Sequence, residues 1–181
     1  MRVGALALLT LLTGCVTTPR PPPPAEFALR LSPASLGREL QLVQRITVLR
    51  GDERRSFDAQ LEADATVVRI AAVALGQTVA SLSWDGTTLA QQVSTHVPPA
   101  VTAARILSDV QLAWWPAEAI RAALPGGFSL LDEAGERVLL RDGAPWARVR
   151  YEGTAPAWRH VRLEHAHFGY ALDIESVEAS P

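Results

Sequence analysis

Across residues 38–94, and again across 128–176, apolar and polar residues take turns along the chain. Leu40, Leu42, Ile46 and Val48 alternate with Glu39, Gln41, Arg45 and Thr47. Successive side chains of a strand point to opposite faces, so this period specifies a long strand with one face buried. After the turn Gly51-Asp52-Glu53, Phe57, Leu61 and Ala63 continue the pattern on a second strand, and Val68, Ile70, Ala72 and Ala74 form a third. Leu75-Gly76-Gln77 is the next turn, followed by a fourth strand over 78–84. Asp85-Gly86 then offers a hairpin turn that tolerates positive φ, with a fifth strand over 87–94. Five consecutive antiparallel strands make a meander.

The period changes after Pro98-Pro99. Ala103, Ile106, Leu107, Val110, Ala113 and Trp114 follow the spacing of a helix with one apolar stripe. Pro116 suits the first turn of a second helix, with Ile120, Ala123 and Leu124 on its buried side and Pro125-Gly126-Gly127 as its stop. Alternation then resumes over 128–131, 137–141, 146–151, 158–164 and 170–176. In the last hairpin its parity switches, from odd at Val161 and Leu163 to even at Phe168, Tyr170, Leu172 and Ile174, which requires a bend or bulge near 166–169. The expected fold is mainly β: one curved antiparallel sheet of about ten strands, with two helices inserted after the fifth. Such a sheet has to bury its apolar face by curling round it, and the two helices are its lid.

The first residues carry an address. Arg2 precedes an apolar run over 3–12, too short for the ~20 residues that a membrane span needs. Leu12-Thr13-Gly14-Cys15 then resembles the lipobox of bacterial lipoproteins; the alternative is an ordinary secretory signal with an incidental cysteine. The expected organisation is a signal peptide over 1–14, a lipidated Cys15 with a proline-rich tether over 15–27, and a β domain over 28–181. Cys15 is the single cysteine, so lipidation would leave no thiol for disulfide, metal or nucleophile chemistry. Pro19 and the run Pro21-Pro22-Pro23-Pro24 favour an extended spacer of roughly 30 Å, not a ligand for a cytoplasmic SH3-type module. In lipoproteins of this kind the residue after the cysteine influences sorting, and Val16 is not the aspartate linked with inner-membrane retention. The expected location is the outer membrane, facing the periplasm. Removing 14 of 181 residues leaves enough for one domain, and its mildly acidic charge argues against nucleic acid as a partner. There is no lysine, a coding bias that carries no functional reading.

Five of eleven aromatic residues are tryptophan: Trp84, Trp114, Trp115, Trp146 and Trp158. Large rings beside a curved sheet either fill a core or line an opening. Residues 107–116 (Leu-Ser-Asp-Val-Gln-Leu-Ala-Trp-Trp-Pro) followed by 120–124 (Ile-Arg-Ala-Ala-Leu) resemble the helical signature of small bacterial lipoproteins related to LolB, themselves mainly of unknown function. Residues 38–45, Leu75-Gly76-Gln77 with Trp84-Asp85-Gly86, and His165 with 168–175 extend the resemblance over most of 36–176. It implies a LolA/LolB-like half-open barrel over an apolar cavity for a lipid or the acyl chains of a lipoprotein; a periplasmic carrier is a candidate partner, with the direction of transfer left open. Some relatives lie beside aryl-polyene lipid synthesis genes. The residues expected to line the cavity are Leu42, Ile46, Phe57, Leu61, Trp84, Ile106, Leu107, Trp114 and Trp146. LolB itself drives lipid into the membrane with an exposed apolar residue on a protruding loop; here the corresponding turn is short and offers only Leu75.

No phosphate-binding loop, G-x-G-x-x-G, G-x-S-x-G or H-E-x-x-H occurs, so no enzyme, cofactor or catalytic residue is expected. His165 and His167 would share a face on a regular strand, yet a closed metal site needs about four ligands and no others are apparent. His96 and His160 stand alone. Asp109, Gln111 and Arg121 read as capping and solvation of the helices, with a polar latch between lid and barrel rim as the alternative. The rival to lipid binding is a non-catalytic envelope scaffold whose packed barrel contacts another protein.

Overall fold

The computed structural model describes residues 27–94, 102–153 and 159–179. Ten strands form one antiparallel sheet: β1 (Leu40–Arg50), β2 (Glu53–Ala63), β3 (Val68–Ala74), β4 (Gln77–Trp84), β5 (Leu89–Val93), β6 (Phe128–Glu133), β7 (Glu136–Arg141), β8 (Ala144–Glu152), β9 (His160–His165) and β10 (Tyr170–Glu178). Helices α1 (Ala103–Trp114) and α2 (Ala117–Ala123) lie between β5 and β6. The spatial order is β5-β4-β3-β2-β1-β10-β9-β8-β7-β6. Two five-strand meanders are therefore joined where the first strand pairs with the last, from Leu42↔Glu178 to Leu49↔Ala171. The edges are β5 and β6; they do not pair, and the helical connection runs between them. All ten expected strands and both helices are present, and the sheet is not closed.

The pattern places the core as it should. Leu40, Leu42, Leu61, Ile70, Leu82 and Trp84 from one meander meet Leu139, Trp146, Val149, Val161, Leu163 and Ile174 from the other, with Leu107, Leu112 and Ile120 of the helices in the same cluster. Thr102 caps α1 by accepting the Arg105 N–H at 3.3 Å. Pro116 ends α1, because the residue before a proline is pushed out of the helical region.

Two local expectations are corrected, and one unforeseen bulge is found. Asp85-Gly86 is not a two-residue hairpin: residues 85–88 form the link, and the Asp85 carboxylate accepts the N–H groups of Thr87 and Thr88 at 2.8 and 2.7 Å. The parity switch in the last hairpin needs no bulge. Its turn has four residues, so His165 pairs with Tyr170 and odd positions face even ones throughout. A bulge does occur in β8, where Leu139↔Ala147 is followed by Leu140↔Pro145 and Trp146 is the extra residue. That extra residue lets consecutive Trp146 and Ala147 both be buried.

Candidate functional site

The concave face of the sheet gathers most of the residues expected there. Leu42, Leu61, Trp84, Leu107, Trp114 and Trp146 are buried in the core, and Ile46 and Ile106 pack against it half-buried. Phe57, on β2 opposite Ile46, is half-buried. The space these side chains share is occupied by protein: the segment 27–36, which the sequence pattern had not flagged, runs through it. Leu29, Leu31 and Leu36 are 1%, 5% and 2% exposed. This strap has no regular secondary structure over 27–32, buries alternate residues from Leu29 to Pro33, and makes a 3-10 turn at Pro33–Leu36.

Side chains hold the strap. The Leu29 N–H donates to Ser108 Oγ at 2.9 Å, and the Leu31 N–H to Gln111 Oε1 at 2.9 Å. The Leu31 carbonyl accepts from both Gln111 Nε2 (2.9 Å) and Trp84 Nε1 (2.7 Å), and Trp115 Nε1 reaches Ser35 Oγ at 3.1 Å. Gln111 is fully buried and Asp109 nearly so, which corrects their reading as solvated helix positions. Arg121 Nε likewise donates to the Leu130 carbonyl at 3.2 Å. These polar groups are bonds between the lid, the strap and the sheet.

The lid is fixed most firmly to the second meander. Arg137, a buried residue of β7 that the alternation gave no reason to notice, donates from Nη1 to the carbonyls of Leu112 (2.7 Å) and Trp115 (2.9 Å) while its Nε pairs with Asp132 at 2.9 Å. It thereby satisfies carbonyls that the end of α1 leaves without helical partners. Tyr151 Oη donates to the Ala113 carbonyl at 2.9 Å, and burial pushes its hydroxyl up to about 12.

Beside the middle of α1 lies an aromatic nest. Trp146 stacks on His167 (3.8 Å between centroids) and meets Phe128, His165 and Phe168 edge-on; Phe27 packs on Phe128 at 4.4 Å. The Arg105 guanidinium stands 3.1 Å over the Phe168 ring. The Tyr170 hydroxyl donates to the Asp109 carboxyl. Burial pushes that carboxyl up to about 7, against the opposing pull of the Tyr170 hydrogen bond and the Arg105 charge. Burial, then Arg105 and His167, hold the His165 imidazole down to about 3, so it is neutral. His165 ends β9 and His167 lies in the turn, so the two do not share a regular strand. His160 sits between Glu152 (3.4 Å) and Asp173 (3.9 Å).

Two surface clefts are also present. One of about 500 Å³ is on the outer face of β2–β5, among Gln60, Glu62, Arg69, Ser81, Ser83 and Gln92. Another, of about 310 Å³, lies between Leu49, Pro145, His165 and Tyr170. None of the nine expected lining residues borders either. Leu75 is fully exposed at the tip of the β3–β4 turn with φ +51°, followed by Gly76 at +76°. Cys15, the rest of the signal and tether before Phe27, His96 and Trp158 lie outside the described residues.

A family model described as a protein of unknown function, DUF3261, matches residues 41–178. No curated protein matches the chain. Among solved structures, a LolA superfamily protein from Nitrosomonas europaea is similar at 14% identity and a TM-score of 0.44, over 84% of this chain and 93% of that one.

Proposed function

We propose, for a chain that belongs to the DUF3261 family of proteins of unknown function, that it is a lipid-anchored envelope protein that takes a lipid, or the acyl chains of a lipoprotein, against the concave face of its sheet. The observation that carries this reading is the unclosed sheet. Edge strands β5 and β6 are not paired with each other, the helical connection spans the gap between them, and the face beneath is largely apolar. Burying apolar surface there is worth about 25 cal/mol per Å² and needs no reaction, so the proposed activity is binding or delivery, not catalysis. Cys15, behind its lipobox, is the proposed outer-membrane anchor, and a periplasmic carrier the proposed donor. Leu75 is the proposed membrane contact: a fully exposed Leu at positive φ is unfavourable twice over for folding, which supports a use outside the fold.

A second reading is supported by the packing itself. Trp84, Trp114, Trp115 and Trp146 are all at most 6% exposed, which suits a scaffold with a filled barrel. One experiment separates the two. Cells expressing the full chain are fed a photoreactive palmitate, irradiated, and the isolated chain is mapped by peptide mass spectrometry. Cross-links to β1, β4 or α1 are expected; label confined to the Cys15 peptide would sink lipid binding and leave the scaffold.

A further inference from the structure

The strap 27–36 is built unlike the rest of the core. It alternates buried and exposed residues as a strand does, yet among the described residues no backbone-to-backbone hydrogen bond ties 27–31 to a neighbouring strand. The Leu29 N–H and both the N–H and the C=O of Leu31 are met by side chains, from Ser108, Gln111 and Trp84. Meanwhile α1 is held on its other side by Arg137, Tyr151 and the Asp109–Tyr170 bond, all reaching β7, β8 or β10. Removing the strap would therefore leave the lid attached. It would also uncover a groove between α1 and β4 with apolar walls, where the Gln111 amide and the Trp84 indole both donate toward one point, the present position of the Leu31 carbonyl oxygen.

We propose that this groove is the acyl-chain site and that the strap is its resident, displaceable occupant. The inference rests on the lipid-binding reading above and specifies its place and chemistry. Leu29, Leu31 and Leu36 occupy the volume of an aliphatic chain, and the paired donors at Gln111 and Trp84 take a carbonyl oxygen. The ligand class is accordingly an acyl chain bearing an ester, amide or carboxyl carbonyl. Gly37, left-handed at φ +74°, ends the 3-10 turn and is the natural pivot, since everything from Leu40 onward is locked into β1. Only eleven residues separate the strap from Cys15, so on the proposed anchoring whatever displaces it acts close to the membrane.

The test is hydrogen exchange on the full chain in lipid nanodiscs, with and without palmitate, alongside a direct palmitate-binding titration. Palmitate should speed exchange of the Leu29 and Leu31 amides by at least about tenfold while the α1 amides keep their protection. Leu29→Ala, which weakens the occupant without touching Gln111 or Trp84, should raise the apparent palmitate affinity by about tenfold, because the competing closed state is less populated. Saturating palmitate binding with both strap amides still protected overturns the proposal, as does weaker binding by Leu29→Ala. Absence of palmitate binding altogether, in wild type and variant alike, overturns the lipid reading itself.

Discussion

At the scale of single residues, the buried Asp109 and His165 titrate in opposite senses. Asp109 is raised from its ordinary value to about 7, so its fold contribution is greatest below about pH 4 and is lost as pH rises through 7. His165 is lowered from 6.5 to about 3, so its contribution is present above 6.5 and lost as pH falls toward 3. Between about pH 4 and 6.5 the two slopes oppose each other, each at most about 1.4 kcal/mol per pH unit. Asp109→Asn should unmask the histidine: relative to wild type, stability by urea unfolding falls more steeply on acidification through this window. His165→Gln should do the reverse, and parallel curves for wild type and both variants would show that neither group titrates as buried. Leu75 offers a second residue-scale prediction. Leu75→Asn creates the Asn-Gly pair that a turn with two positive φ values prefers, and should raise unfolding free energy by about 0.5–1 kcal/mol. If the exposed leucine serves membrane contact, the same variant should deliver less photoreactive lipid.

At the scale of elements, what the sequence revealed and what it hid follow one physical division. Strand alternation is a local signal, and wherever one face meets the core it marks the strand, as β3 and both helices show almost to the residue. Long-range polar bonds leave no such period. Arg137 sits among Val138 and Leu139 as one more charged residue in a β pattern, and only the fold brings it under the end of α1. Gln111 and Asp109 looked solvated because their partners, Leu31 and Tyr170, are 80 and 61 positions away. The strap escaped because its apolar repeat, Leu29-x-Leu31-x-Pro33, is too short to stand out beside a proline-rich tether. The lining residues were legible as a face but not as a filled one. The Arg137 bond yields an element-scale prediction. Arg137→Met removes the donors to two carbonyls and leaves Asp132 unpaired at a partly buried position, so stability should drop by about 2–4 kcal/mol. Hydrogen exchange should localise the loss to the last turn of α1; protection there equal to wild type would mean that water replaces the guanidinium without cost.

At the scale of the whole molecule, the question is how the proposed anchor and the ten-stranded sheet divide their tasks. Among the described residues, the core cluster draws on positions from Leu29 onward, with Phe27 packed against it. The stability of the sheet should therefore be independent of lipidation, although its location should not. Eleven residues separate Cys15 from Phe27, five of them proline; at the ~3.1 Å per residue that proline-rich sequence favours, the proposed anchor would keep the domain within roughly 30 Å of a membrane surface. The strap follows that segment directly in the sequence, so the proposed anchor and the proposed groove occupant are neighbours along the chain. Cys15→Ala should abolish palmitate labelling and release the protein from the outer-membrane fraction, while its thermal unfolding midpoint stays within about 2 °C of the lipidated chain, a shift of well under 1 kcal/mol. A larger drop would mean that the lipid takes part in the fold, with the anchor's own acyl chain, and not a delivered one, competing with Leu29 and Leu31 for the groove beneath α1.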